Sequence, residues 1–175
     1  QHKLGYFNIY NPEYTCLGKM TDNIAIFQYL DDDYMQIDVI DTSRPERGNK
    51  DKMRRIMEIE LCLSRCQAWC VSMVTTESAY RGFGVAAEVY RWLLQTIPGL
   101  VLQAGDAQSI GGRAIWHSLA GMDDVLVYGK SFNTDFTVCV QADVDREIVA
   151  LNGTPVYDTD DTFTAFAYYS PVRIR

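Results

Sequence analysis

The sequence lacks the features that mark membrane-spanning and secreted proteins. No stretch of its 175 residues approaches the ~20 consecutive apolar residues that a membrane-spanning helix needs. The N-terminus, Gln1-His2-Lys3-Leu4, has no charged block followed by an apolar block, as a secretion signal would have. We therefore expect no membrane association.

The sequence also lacks closely spaced pairs of cysteines. The five cysteines are odd in number and include no Cys-x-x-Cys motif, which favours reduced thiols in a cytoplasmic protein over a disulfide framework. Cys62, Cys66 and Cys70 are spaced by four residues, but that spacing matches no zinc pattern. This segment is better interpreted as two strands joined by a turn, so we expect no metal site.

Positive charge is scarce, since 16 Lys and Arg against 23 Asp and Glu give a net charge of −7. Binding to a nucleic-acid backbone needs clustered cations, so no nucleic-acid partner is expected. An acidic surface suits a cationic partner instead. Six cations do lie close together between positions 44 and 55, but acidic residues such as Glu46 and Asp51 dilute them. The mixture favours a solvated loop.

The chain does have enough apolar residues for a packed core. Its hydrophobic content is 47 %, and a chain of this length buries roughly 70 % of its unfolded surface. The apolar pattern predicts strands at 24–30 and 34–41 around an Asp31–Asp33 turn, then a loop over 42–51 because of Pro45 and Gly48. Residues 53–64 alternate and favour a strand, although a helix remains open.

The second half of the chain predicts alternating strands and helices. The expected elements are strands at 68–76, 100–103, 125–128, 136–141 and 163–169, helices at 85–95 and from an N-cap at Ser109 to about 119, and a turn at 152–153. Residues 10–20 hold at most a short irregular helix. We predict one α/β (α+β) domain spanning residues 1–175.

The most informative motif is Arg81-Gly82-Phe83-Gly84-Val85-Ala86, between a predicted strand and a predicted helix. Such a loop presents successive backbone N–H groups, and the helix adds the positive end of its dipole, so it suits a phosphate. Gly82 and Gly84 allow close approach of an anion, and Arg81 adds a charge-assisted contact. The alternative is an ordinary strand–turn–helix junction without a ligand.

Arg81, Gly84 and Ala86 occupy the fixed places of the phosphate loop of the GNAT acyltransferases, and Tyr80 matches the aromatic residue that often precedes it. Together with the order of elements over 69–128, this resembles the GNAT core. The resemblance implies a mixed, mostly antiparallel central sheet with a splayed parallel strand pair and flanking helices. The divergent core also resembles small GNAT-like proteins of bacteriophages. Residues 1–50 and 143–175 depart from the common core.

The resemblance implies acetyl-CoA as co-substrate and an amine as acceptor, either a small molecule or a protein lysine or N-terminus. The cofactor would lie between strands 68–76 and 100–103. Its pantetheine arm would pair with Val74, Thr75 and Thr76, and the amides of Arg81 to Ala86 would hold the pyrophosphate. The second helix, with Ser109, Gly111 and Gly112 at its start, would pack against the ligand; tight packing without a ligand is the alternative.

The catalytic residues match the family less well. Many members place a general-acid Tyr on the second helix, but that position here is Trp116, whose indole is not an acid. The remaining candidates are His117, Tyr128 and, for a base, either Glu77 at the mouth of the loop or a carboxylate of the preceding strand, Glu58 or Glu60; surface roles are the alternative for each. The missing Tyr and the aromatic tail (Phe163, Phe166, Tyr168, Tyr169) also allow a second hypothesis, an inactive GNAT-like protein that binds another protein, such as a host enzyme.

Overall fold

The computed structural model describes residues 4–64, 67–105, 110–131 and 163–170. In these residues the fold is mixed α+β, with a mostly antiparallel sheet arrangement, one parallel strand pair and two α-helices. This agrees with the fold class expected from the sequence. The chain divides into two compact units, one formed by residues 1–62 and 72–86 and the other by residues 63–71 and 87–175.

The first unit is built on an antiparallel meander. The strands are β1 Tyr6–Asn8, β2 Thr15–Thr21, β3 Ile24–Leu30, β4 Tyr34–Glu46, β5 Asn49–Leu63 and β6 Trp69–Thr76. Strands β2, β3, β4 and β5 are neighbours in that order, β1 pairs with β5, and the second half of β6 follows β5. Alternation buries one face of the sheet, where Ile26, Ile37 and Ile59 are fully enclosed.

Two sequence predictions for this unit are confirmed and two differ from the structure. The hairpin around Asp31–Asp33 and the strand at 53–64 are present. The loop predicted at 42–51 is wrong, because β4 and β5 continue through it to a turn at Arg47-Gly48. Pro45 is accommodated between two register shifts, where a ladder can lose a donor. Residues 15–21 form strand β2 rather than part of a short helix.

The second unit contains the elements α1 Val85–Thr96 (except its first two residues), β7 Val101–Gln103, α2 Ile110–Ala120, β8 Val125–Ser131 and β9 Phe163–Tyr169. Its sheet order is β6-β7-β9-β8. The predicted strands at 100–103, 125–128 and 163–169 and both predicted helices are present, whereas the strand at 136–141 and the turn at 152–153 lie outside the described residues. Helix α1 buries Tyr90 against the edge of Trp116, with ring centroids 6.1 Å apart.

The parallel pair is short. Strands β6 and β7 are in register only at Trp69 with Leu102 and at Cys70 with Gln103. Just beyond, the Cys70 thiol lies 3.6 Å from the Ala104 carbonyl, and Gly105 passes close to the Val71 carbonyl. Strand β6 then continues to Thr76, and the motif at residues 81–86, which we call the glycine loop, follows a few residues later.

An ion pair ties α1 to the segment before β8. The Arg91 guanidinium donates to both carboxylate oxygens of Asp124, with Arg91 Nε 2.9 Å from Asp124 Oδ1, and Gln95 donates to the same carboxylate. The hydrogen bond from Arg91 is the main reason why the pKa of Asp124 lies below its usual value. In the described residues, neither helix has the length and apolar character needed to cross a bilayer.

Candidate functional site

The glycine loop is connected to β6 by Glu77 and a single 3-10 turn at Ser78–Tyr80. Its last two residues, Val85 and Ala86, are the first residues of α1. Gly82 and Gly84 have φ angles of +81° and +74°, a region that side chains strongly disfavour. No atom lies within 4 Å of the position that a Cβ would take at either residue. Phe83, between them, is 79 % exposed. The loop therefore has open space in front of a backbone that only glycine adopts readily.

Arg81 is anchored at the start of this loop. Its Nε donates to the Thr76 carbonyl at 2.7 Å, which fixes the guanidinium at the end of β6. The side chain is exposed, and among the described residues none accepts a hydrogen bond from its terminal nitrogens. A guanidinium held in this way can bind an oxyanion with two parallel hydrogen bonds.

Tyr80 connects the loop to the β4–β5 hairpin. Its hydroxyl donates to Asp41 Oδ2 at 2.9 Å and accepts from Arg44 Nη1 at 3.3 Å. Asp41 is buried, and its other oxygen accepts bonds from the backbone and hydroxyl of Ser43. Burial alone would raise the pKa of Asp41, but the hydrogen bonds from Ser43 and Tyr80 outweigh it and lower the pKa. A stable carboxylate therefore positions Tyr80.

Glu77, predicted as a general base, is held by Arg54. Arg54 Nε lies 2.9 Å from Glu77 Oε2, and Arg54 Nη2 contacts Oε1, so the pair is bidentate. Both side chains are 15 % exposed, and the hydrogen bond to Glu77 raises the pKa of Arg54. In this arrangement the carboxylate balances a guanidinium, and an amine would have to displace Arg54 to use Glu77 as a base.

The second unit contains the predicted catalytic residues His117 and Tyr128 and the residues predicted at the start of α2. His117 is exposed on α2, and Tyr128 on β8 pairs its backbone with Phe166 of β9. Gly111 and Gly112 lie in the first turn of α2, where Gly111 is exposed and Gly112 is partly buried, and Ser109 lies outside the described residues. In the first unit, by contrast, Val74, Thr75 and Thr76 lead directly through Glu77 to the loop residues 81–86.

Trp116, which stands where the resemblance implies a Tyr, has a structural role. Trp116 is 3 % exposed and packs edge-on against Tyr90. Tyr90 is buried as well, and burial raises the pKa of its hydroxyl. A side chain enclosed in this way stabilises the contact between α1 and α2.

A buried carboxylate that the sequence did not predict lies in the first unit. Asp38 is fully buried on β4 and accepts hydrogen bonds from Gln36 and Tyr14. Its Oδ1 is 2.8 Å from Arg55 Nε, although the two are misaligned for a hydrogen bond, and Arg55 also pairs with Glu58. Burial, only partly offset by Arg55, raises the pKa of Asp38 to about 6.

This raised pKa predicts a pH-dependent stability. The folded state holds the Asp38 proton more tightly than the unfolded chain, whose ordinary value is 3.8, so stability from this group is lost as the pH rises from 4 through 6. At ~1.4 kcal/mol per tenfold change in proton affinity, Asp38→Asn should gain about 2 to 3 kcal/mol in free energy of unfolding relative to the wild type between pH 4 and 7.

Urea unfolding of both proteins at pH 4, 5, 6 and 7 measures this difference. Asp33→Asn, at the exposed β3–β4 turn, is the matched control and should stay parallel to the wild type. Parallel curves for Asp38→Asn as well would contradict the prediction.

In the parts of the chain that the structure describes, no three His, Cys, Asp or Glu side chains are grouped to hold a metal ion. The best-defined candidate site in those parts is the loop 81–86 with the side chains that fix its start. Left-handed glycines, a helix start and exposed arginines are the features of a phosphate-binding loop. Comparisons with protein-family models, curated proteins and solved structures find no match for this chain.

Proposed function

We propose that the chain is an acetyl-CoA-dependent N-acyltransferase with a GNAT-like fold. The observation that carries this proposal is the loop Arg81–Ala86, in which both glycines adopt left-handed conformations with open space in front of them. Further support comes from its place in the fold, because it joins a strand of the parallel pair to a helix.

In the proposed complex, backbone N–H groups of the loop donate to the pyrophosphate of acetyl-CoA, and the start of α1 adds the positive end of its dipole. The terminal nitrogens of Arg81, for which no described residue is an acceptor, bind the same group. The β6 backbone takes the pantetheine arm as an added strand. Because the Thr76 carbonyl already accepts a bond from Arg81, Val74 and Thr75 are the expected partners of the pantetheine amides.

The reaction is direct transfer. The amine nitrogen attacks the thioester carbon, a C–N bond forms, the C–S bond breaks, and the CoA thiolate takes up a proton as the amine loses one. His117 and Tyr128 are the proposed proton donors or acceptors. Glu77 could serve as the base only after its pair with Arg54 opens, which costs the stability of a bidentate contact.

The alternative, a noncatalytic protein that binds a partner through its aromatic tail, gains less support. Phe166 is fully buried and belongs to the core of the second unit. Tyr168 is partly buried, and Tyr169 is 39 % exposed. Of the three tail aromatics whose side chains the structure describes, Tyr169 is therefore the one in the exposed class.

Calorimetric titration of acetyl-CoA and free CoA into the protein tests the proposal. We expect dissociation constants on the order of micromolar for both, as is usual for a co-substrate, together with thermal stabilisation. A mass-spectrometric screen of cationic amines, including polyamines and a Lys-rich peptide, should then detect CoA-dependent acetylation. Neither heat nor stabilisation with either ligand would overturn the proposal and leave protein binding as the hypothesis to test by pull-down.

A further inference from the structure

The β4–β5 hairpin carries a group of cations near its turn. Within the described residues, Lys52 is 3.7 Å from Glu46, and Arg54 and Arg55 pair with the carboxylates described above. Arg44, Arg47 and Lys50 are all exposed, and none lies within ion-pair distance of a described carboxylate. Three cations near the turn are thus exposed and form no ion pair with the carboxylates that the structure describes.

Of these three cations, Arg44 is the one with a described contact to the residue before the glycine loop. It donates to the Tyr80 hydroxyl, which the buried Asp41 carboxylate holds in turn. A chain of hydrogen bonds therefore runs from the buried Asp41 carboxylate through the Tyr80 hydroxyl to the exposed Arg44 guanidinium. Arg81, the next residue after Tyr80, is fixed separately by Thr76.

We propose that Arg44 binds a phosphate group of the CoA nucleotide and is a second anchor beside the loop; this inference rests on the proposed function. Two arginines, each fixed through one nitrogen, flank Tyr80 and leave further N–H donors exposed. Carboxylate and phosphate oxygens are the ligands that such preorganised guanidinium groups suit, and phosphate is the one that CoA supplies beside the loop. The phosphate is either the pyrophosphate or the 3′-phosphate of CoA, each of which presents negatively charged oxygens to Arg44.

The test compares Arg44→Gln with Arg47→Gln, which removes the same charge from the same hairpin but has no described contact with Tyr80. Calorimetry with acetyl-CoA should show about 5- to 20-fold weaker binding for Arg44→Gln, the usual effect of losing one charge-assisted contact. Arg47→Gln should bind within about twofold of the wild type. Tyr80→Phe keeps Arg44 but removes the hydroxyl that positions it, so an intermediate loss is expected.

Repeating the titrations with 3′-dephospho-acetyl-CoA identifies the phosphate. If Arg44→Gln weakens acetyl-CoA but not the dephospho form, Arg44 binds the 3′-phosphate; an equal loss with both ligands assigns it to the pyrophosphate. Unchanged binding by Arg44→Gln, or equal losses in Arg44→Gln and Arg47→Gln, would overturn the inference while leaving the proposed function intact. Failure of the wild type to bind either nucleotide would overturn the proposed function, and this inference with it.

Discussion

Replacing Gly84 with Val should weaken acetyl-CoA binding at least about 100-fold, the largest effect we expect from any single substitution in the loop. The φ angle of +74° is one that Val adopts only with strain, and its side chain would fill the open space in which the pyrophosphate is proposed to lie. Loss of several amide–phosphate contacts at once accounts for the size of the effect. Calorimetric titration with acetyl-CoA measures it.

Gly99→Val is the matched control for this substitution. Gly99 follows the end of α1, has a φ angle of +70°, and likewise has no atom within 4 Å of the position that a Cβ would take. Both variants should lose about 1 to 2 kcal/mol of stability through the left-handed backbone alone. Only Gly84→Val should lose binding. Equal affinity of the two variants for acetyl-CoA would refute a phosphate site at the loop.

Gly105→Ala should destabilise the protein by about 2 to 3 kcal/mol, which is typical of forced overpacking. A Cβ at this residue would lie 2.5 Å from the Val71 carbonyl oxygen. Because that atom belongs to the backbone of β6, relief would require the strand to move rather than a side chain to rotate. Urea unfolding monitored by circular dichroism measures the change.

Gly121→Ala provides the comparison, since the nearest atom to a Cβ at this residue would be the Ser118 carbonyl oxygen, at an ordinary 3.5 Å. Its effect should stay within about 0.5 kcal/mol of the wild type. If both substitutions cost the same, the close approach of Gly105 to Val71 is not a tight constraint in solution. A selective loss in Gly105→Ala would establish that glycine is needed there to let the chain pass β6.

Local patterns predicted most of the elements well. The strands at 24–30 and 163–169 carry β-forming residues next to polar residues in the sequence, and the structure gives them the same limits. The loop predicted over 42–51 failed for an equally local reason. Pro45 and Gly48 usually mark a loop, but a long hairpin accommodates Pro at an irregularity and needs Gly in its turn, where φ is +84°.

The candidate site was predictable only where it is continuous in sequence. The glycine loop is one short segment, and its residue types indicate its backbone shape. The contact between Tyr80 and Asp41 joins residues 39 positions apart, and Arg54 reaches Glu77 over 23 positions. Residue spacing alone carries no signal for such pairings, because they depend on how the strands align.

The burial of Asp38 could not be predicted from the sequence for a related reason. Gln36 and Asp38 alternate with apolar residues along β4, which is the pattern of a strand with one face in water. That face is instead covered in part by aromatic side chains from the beginning of the chain, Phe7 and Tyr14. A polar residue on a strand is exposed or enclosed according to what packs over it, and that partner is distant in sequence.

The division of the chain into its two units has a consequence for biosynthesis. The chain passes from one unit to the other after residues 62, 71 and 86, so neither unit is a continuous segment and β6 and α1 contribute to both. The first unit is complete only when residue 86 has left the ribosome, by which time part of the second has already been made. No single cut in the gene separates the two units, because any fragment that contains one of them whole also carries part of the other.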